Sequence, residues 1–222
     1  MKKGPEKETE KTAKNGGKMM LEKMPGETPL ECLERFRGVQ IIAGHGEFAD
    51  IPMTYAGRLD PMASGKLLIL WGDECKNKEK YLGLDKEYEI EVLFGVKTDT
   101  GDVLGLIGKV DDAGLAEPDF SKIMPLNIYV GKFEQEYPAY SSKTVDGKQL
   151  HTLARAGELP DEMPVKQVEI YSIEEIGRSK ISGGELAKKT ADAVLKVHGD
   201  FRQQEIIKAW KKFEEKYGRT NF

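Results

Sequence analysis

One carboxylate stands at the centre of Tyr55-Ala56-Gly57-Arg58-Leu59-Asp60-Pro61-Met62-Ala63-Ser64-Gly65. Gly57 and Gly65 bracket this loop and supply backbone freedom that residues with a Cβ lack. Pro61 fixes its own φ and steers Asp60 away from the helical region. An ionised carboxylate held on a stiff loop can act as a nucleophile or stabilise developing positive charge. The plainer alternative is an Asp that closes a turn by accepting nearby backbone N–H groups. Glycoside-type hydrolysis needs a second carboxylate, and none accompanies Asp60 in this stretch.

Other reactive residues give weaker patterns. His45 is a lone histidine in a loop spanning 41–51, where solvent exposure is the ordinary outcome. Cys32 and Cys75 are the only cysteines and lie too far apart in sequence for a zinc motif or a disulfide scaffold. Thr98, Asp99, Thr100, Asp102, Asp111 and Asp112 offer oxygen ligands but lack the spacing and terminal Glu of a calcium loop. They read as polar hairpin turns.

The elements that must position Asp60 are partly legible. Leu67-Leu68-Ile69-Leu70-Trp71 is an apolar run suited to a buried strand. Upstream, Thr28 is an N-cap followed by Pro29 at the first helical position, with Leu30, Leu33 and Phe36 on one face. Lys23 precedes a Pro25-Gly26 turn and reads as a solvated turn lysine. Alternation predicts strands over 86–94 (Tyr88, Ile90 and Val92 on one face), 129–137, 165–176 and 191–198. Helices are expected over 118–123, 148–158 (closed by Gly157) and 203–217.

Composition narrows the class. A chain of 222 residues with 39% apolar content and a mean hydropathy of −0.52 can bury a sizeable core. No apolar run approaches the roughly 20 residues of a membrane helix, and no apolar signal core opens the chain. A cytoplasmic protein without membrane contact is therefore expected. Residues 1–18 are almost devoid of apolar side chains and read as a disordered polar tail, leaving 19–222 as the folded domain. The net charge of −4 argues mildly against nucleic acid, although a local basic face matters more than the total.

Three motifs change the weighting. Gly57-Arg58-Leu59-Asp60-Pro61 is followed by Lys86-Glu87-Tyr88, which leads to Gly95-Val96-Lys97-Thr98-Asp99-Thr100-Gly101-Asp102. Then comes Pro138-Ala139-Tyr140-Ser141-Ser142, leading into Gly147-Lys148-Gln149-Leu150. In order and spacing, from Lys23 to about Arg202, they resemble the TruB family of tRNA pseudouridine synthases. The resemblance implies an α+β fold with a mixed, mainly antiparallel sheet and packed helices. It also implies an isomerase that converts uridine-55 in the TΨC loop of tRNA to pseudouridine, acting as a monomer on the T arm without cofactor or metal. The catalytic residues it implies are Asp60, Tyr88 and Arg202, with Arg202 paired to Asp60. Arg58, Leu59, Tyr55, Lys76, Tyr140, Ser141, Lys143, Lys148 and Arg155 become substrate-binding candidates.

The chain departs from the family pattern at several points. Tyr55 lies where a His is common and Arg58 where a Thr is usual. Met24 separates Lys23 from Pro25. The arginine of the turn Gly199-Asp200-Phe201-Arg202 comes one residue early. These departures leave open the same reaction on another RNA such as ribosomal RNA, or a non-catalytic RNA-binding or RNA-folding protein. The chain's end at Phe222 is expected to leave no room for the C-terminal RNA-binding (PUA) domain of many relatives.

Overall fold

The computed structural model describes residues 16–111, 125–198 and 202–222. Most of the expected tail and the expected helix over 118–123 lie outside the described residues. Two units divide the chain: Met1–Glu91 with Asp192–Phe201, and Val92–Ala191 with Arg202–Phe222.

The first unit is built on a three-stranded antiparallel sheet. Its strands are β1 (Gly17–Lys23), β2 (Met53–Ala56) and β3 (Gly65–Trp71), in the order β1-β3-β2. Gly17 and Lys18, at the end of the expected tail, are already paired with Trp71 and Leu70. In the central strand Leu67, Ile69 and Leu70 are all buried. Burial at both parities explains an unbroken apolar run in place of an alternating one.

Helix α1 (Pro29–Ile42) packs against this sheet. Thr28 and Glu31 form a reciprocal capping box: the Glu31 N–H donates to Thr28 Oγ1 at 3.1 Å and the Thr28 N–H donates to Glu31 Oε2 at 2.7 Å. The buried stripe is Cys32, Leu33 and Phe36, whereas Leu30 faces solvent, one position off the expected face. Phe36 meets Phe48 edge-on at 5.9 Å and tilts against Trp71 at 5.6 Å. Phe48, Ile51, Leu67 and Ile69 complete this core. A short helix, α2 (Lys78–Leu82), follows the sheet.

Among its described residues the second unit contains three antiparallel pairs. They are β4 (Val96–Thr98) with β5 (Ile107–Val110), β6 (Gly131–Glu136) with β9 (Val165–Ile170), and β7 (Thr144–Val145) with β8 (Lys148–Gln149). In the last hairpin Asp146 and Gly147 both have positive φ, 48° and 81°, as an Asp-Gly two-residue turn requires. Helix α3 (Leu150–Ala156) buries Leu150 and Leu153 and ends on left-handed Gly157. Helix α4 (Gly183–Val194) has its last turn assigned to the first unit. Helix α5 (Gln203–Tyr217) buries Ile206, Trp210 and Phe213, and the Trp210 indole N–H donates to the Gly105 carbonyl.

Two expected strands are corrected. The stretch 86–94 forms no strand: no ladder is present, and Tyr88, Ile90 and Val92 are exposed. Alternation without a hydrogen-bonding neighbour does not make a strand. The stretch 191–198 is the end of α4 and a following turn. Its apolar positions continue the helical series Leu186, Ala187, Thr190, Val194. The missed start signal is a capping box, Ser182 with Glu185, whose side chains each bond the other's backbone N–H. The strand over 165–176 stops at Ile170 and that over 129–137 begins at Gly131. All described strand pairs are antiparallel.

Thr190 is buried, and its hydroxyl has no partner among the described residues. A buried hydroxyl without a partner costs about 1–3 kcal/mol. Thr190→Val is therefore expected to raise the free energy of unfolding by about 1 kcal/mol, read as a higher urea midpoint at unchanged slope. Glu31 supplies a pH test. The Thr28 N–H and then His198 Nδ1, 2.8 Å away, hold its carboxyl down to about 2. A depressed carboxyl adds stability that is present above its unfolded value of roughly 4.3 and is lost as pH falls toward about 2. Denaturation across that window should show a smaller fall for Glu31→Gln than for the parent chain.

Candidate active site

The Asp60 loop is fastened from beneath. Lys23, the last residue of β1, is fully buried at 0% exposure, against the expectation of a solvated turn lysine. Its ammonium donates to the carbonyls of Ala63 at 2.6 Å, Met24 at 3.1 Å and Pro61 at 3.2 Å. The cause is register: Lys23 lies opposite Gly65, so its side chain sits under the turn that precedes β3. Burial lowers the Lys23 pKa, and Glu27 foremost, then others including Asp60, partly oppose that shift. The Gly26 N–H adds a 2.8 Å bond to the Pro61 carbonyl. Gly57 and Gly65 adopt φ of +98° and +138°, values that residues with a Cβ adopt only with strain. Asp60 itself is exposed, with its carbonyl accepting the Ala63 N–H at 3.0 Å.

The segment beside that loop is also braced. Glu27 takes the Met24 N–H at 3.0 Å and a two-pronged contact from Arg35 at 2.8 and 3.1 Å. Arg35 foremost keeps the Glu27 carboxyl below its usual range. The candidates of this unit divide by environment. Tyr55 lies on β2, packs against the core and has the Lys78 ammonium 5.6 Å from its ring. Leu59 is half-buried and Arg58 is exposed. Lys76 is an exposed lysine bound to Asp73 at 2.6 Å. Tyr88 is 66% exposed on the irregular stretch described above.

In the second unit Arg202 bonds Asp99, its Nη1 donating to Oδ2 at 2.7 Å. Asp99 lies just after β4, and its other oxygen accepts the Leu106 N–H at 2.8 Å across the hairpin. Tyr140 donates to Asp99 Oδ2 at 3.4 Å while its ring lies 4.9 Å from the Arg202 guanidinium. Arg202 and Asp99 are only 19% and 31% exposed. Partial burial pushes the Asp99 carboxyl up, but the bonds from Arg202 and the Leu106 N–H outweigh it and the pKa is lowered. The Asp99 hydrogen bond in turn raises Arg202. Arg202 caps α5 from a left-handed backbone, φ 60° and ψ 32°, which is uncommon outside glycine. Strain of this kind persists where the surroundings hold a side chain in place, here the Asp99 and Tyr140 contacts.

The carboxylate seen bonded to Arg202 is thus Asp99, a residue that reads in sequence as a polar turn. It is both: one oxygen closes the hairpin and the other holds the guanidinium. Asp60 and Tyr88 belong to the first unit, Arg202, Asp99 and Tyr140 to the second. Ser141 accepts the Lys143 N–H through Oγ, Lys148 is ion-paired to Glu158 at 3.3 Å, and Arg155 is exposed on α3. Among the described residues no cluster of His, Cys, Asp and Glu is suited to a metal ion, and no helix is long and apolar enough to cross a membrane.

Residues 51–214 match the model of the TruB family pseudouridylate synthase N-terminal domain, and the chain belongs to that family. Similar proteins include tRNA pseudouridine synthase B of Nostoc, 36% identical over 71% of this chain and 50% of its own length. The synthase B of Aquifex aeolicus is 31% identical over 71% of this chain and 51% of its own. tRNA pseudouridine synthase 4 of Saccharomyces cerevisiae is 40% identical over 55% of this chain and 31% of its own. The chain spans about half the length of the bacterial relatives it matches.

Lys23 supplies a test of the loop's support. Lys23→Met keeps the volume of the side chain but leaves three carbonyls without their donor. A loss of about 1–3 kcal/mol in urea unfolding is expected. Amide exchange around Ala63 should quicken in the same variant.

Proposed function

We propose that this chain is a tRNA pseudouridine synthase that isomerises uridine-55 in the TΨC loop. The observation that carries the reading is Asp60: an exposed carboxylate in a Gly-Arg-Leu-Asp-Pro loop, pinned by a buried lysine, in a chain of the TruB family. The relatives it resembles are named as tRNA pseudouridine synthases. The reaction breaks the bond between ribose C1′ and uracil N1 and forms one between C1′ and C5. A proton leaves C5 and N1 gains one, so electrons balance without an oxidant or reductant.

In this reading Asp60 is the nucleophile that adds to the nucleotide and is released when the new bond closes. The target uridine leaves its stack at a cost of a few kcal/mol. Tyr88 recovers roughly 1–3 kcal/mol of that by stacking, and its hydroxyl serves proton removal from C5. The family resemblance gives Arg202 a catalytic role, and its guanidinium supplies a fixed positive charge. Asp99 and Tyr140 are positioning residues that hold the guanidinium. Arg58, Leu59 and Tyr55 contribute RNA contact around the Asp60 loop, and Lys148 and Arg155 contribute RNA contact from the second unit.

Asp60→Asn is expected to retain tRNA binding and abolish product, read as tritium release from tRNA labelled at uracil C5. Product from the purified variant at the parental rate would overturn the assignment. Asp99→Asn should cut turnover by a factor of about 10–100, equal to the loss of roughly 1.4–2.8 kcal/mol of charge-assisted hydrogen bonding. Ribosomal RNA tested beside tRNA separates substrate choice from chemistry.

A further inference from the structure

Two lysines from different parts of the second unit approach the ring of Tyr137. The Lys143 ammonium is 5.3 Å from the centre of its ring and the Lys166 ammonium is 5.6 Å from it. Lys143 belongs to the loop before β7, and Lys166 to strand β9. The three backbones are each tied. The Tyr137 N–H donates to the Pro164 carbonyl at 2.9 Å, at the foot of β9. Lys166 lies opposite Gln135 in the β6–β9 ladder. The Lys143 carbonyl accepts the Leu150 N–H at 2.8 Å, at the start of α3.

The charge environment sets this pair apart. Nearby lysines have carboxylate partners: Lys132 pairs with Glu169 at 3.8 Å and Lys148 with Glu158 at 3.3 Å. Neither Lys143 nor Lys166 forms an ion pair among the described residues, and both are exposed. Of the two acidic residues on β6, Glu134 is bonded to Gln167, and Glu136, next to Tyr137, forms no ion pair with either lysine. Both ammoniums lie within about 6 Å of the ring centre, so like charges are held close together, and the ring quadrupole offsets their repulsion only partly. An anion placed between them relieves it.

We infer that Tyr137, Lys143 and Lys166 form a binding site for the RNA sugar–phosphate backbone, separate from the Asp60 loop. The ring gathers the two ammoniums when RNA is absent, so that fewer side-chain conformations are lost when phosphates arrive. Contact is to phosphate oxygens, so the site adds affinity without reading sequence. The inference deepens the proposed function, since it takes the partner to be RNA.

The test is tRNA transcript binding to the full chain over a range of salt concentrations. Each phosphate contact contributes about 0.7–0.9 to the slope of log K against log salt. Lys143→Gln with Lys166→Gln should flatten that slope by about 1.4–1.8. Tyr137→Leu should weaken binding several-fold with the slope unchanged, because both charges remain. An unaltered slope in the double variant overturns the site, whatever its effect on stability. Pseudouridine formation by the parent chain is measured alongside. If the parent makes product and the slope does not move, the site fails and the function stands. If the slope moves and the parent makes no pseudouridine in any RNA, the function fails and the site stands.

Discussion

A buried ammonium is the constraint from which the Asp60 loop follows. Taking Lys23 out of water is costly unless its donors are satisfied, and the chain satisfies them with three backbone carbonyls. Two of those, Pro61 and Ala63, come from the turn directly after Asp60. The loop's shape is therefore fixed by an electrostatic requirement of the sheet beneath it. Removing the lysine would free the carbonyls, and moving the loop would strand the lysine. Each protects the geometry of the other. The Gly26 N–H bond to the same Pro61 carbonyl adds a second anchor that leaves the Asp60 side chain in solvent.

Arg202 is held on a different principle. Its backbone occupies a strained left-handed region, and its head is fixed by Asp99 and the Tyr140 ring. Guanidinium is always charged and its planar fork retains little freedom once bonded, which suits it to a permanent electrostatic role. The hydrogen bonds from Arg202 and the Leu106 N–H outweigh burial and hold the Asp99 carboxyl below its ordinary value, which favours the ionised form of the pair. A carboxylate dedicated to holding the arginine also leaves Asp60 free of a purely structural duty.

What was readable in sequence was short-range. Thr28-Pro29 before an apolar helix, Gly157 after one, and the unbroken run 67–71 each encode their structure within a few residues. The TruB motifs mark the Asp60 loop from sequence alone. Burial of Lys23 is not legible there, because it depends on strand register and not on neighbours in sequence. Alternation over 191–198 competes with a helical series that starts earlier, at Ser182, and so hides helix α4. Asp99 reads as turn chemistry because a residue 103 positions away completes its second role.

The two elements assigned to chemistry in the first unit differ in how many contacts hold them. The Asp60 loop is cross-linked by hydrogen bonds at both Pro61 and Ala63. Tyr88 instead sits on an irregular stretch that joins no sheet, with most of its ring in water. Fixing a residue's backbone costs about 1–2 kcal/mol, comparable to what one stacked base returns. Under the proposed function, the nucleophile is paid for in folding while the stacking ring is ordered by the substrate itself. Such a division makes ordering of the Tyr88 stretch depend on an extruded base, which is a source of selectivity that a prebuilt pocket lacks. An RNA that binds through phosphates alone would leave that stretch as it is, and the carboxylate would wait without a partner.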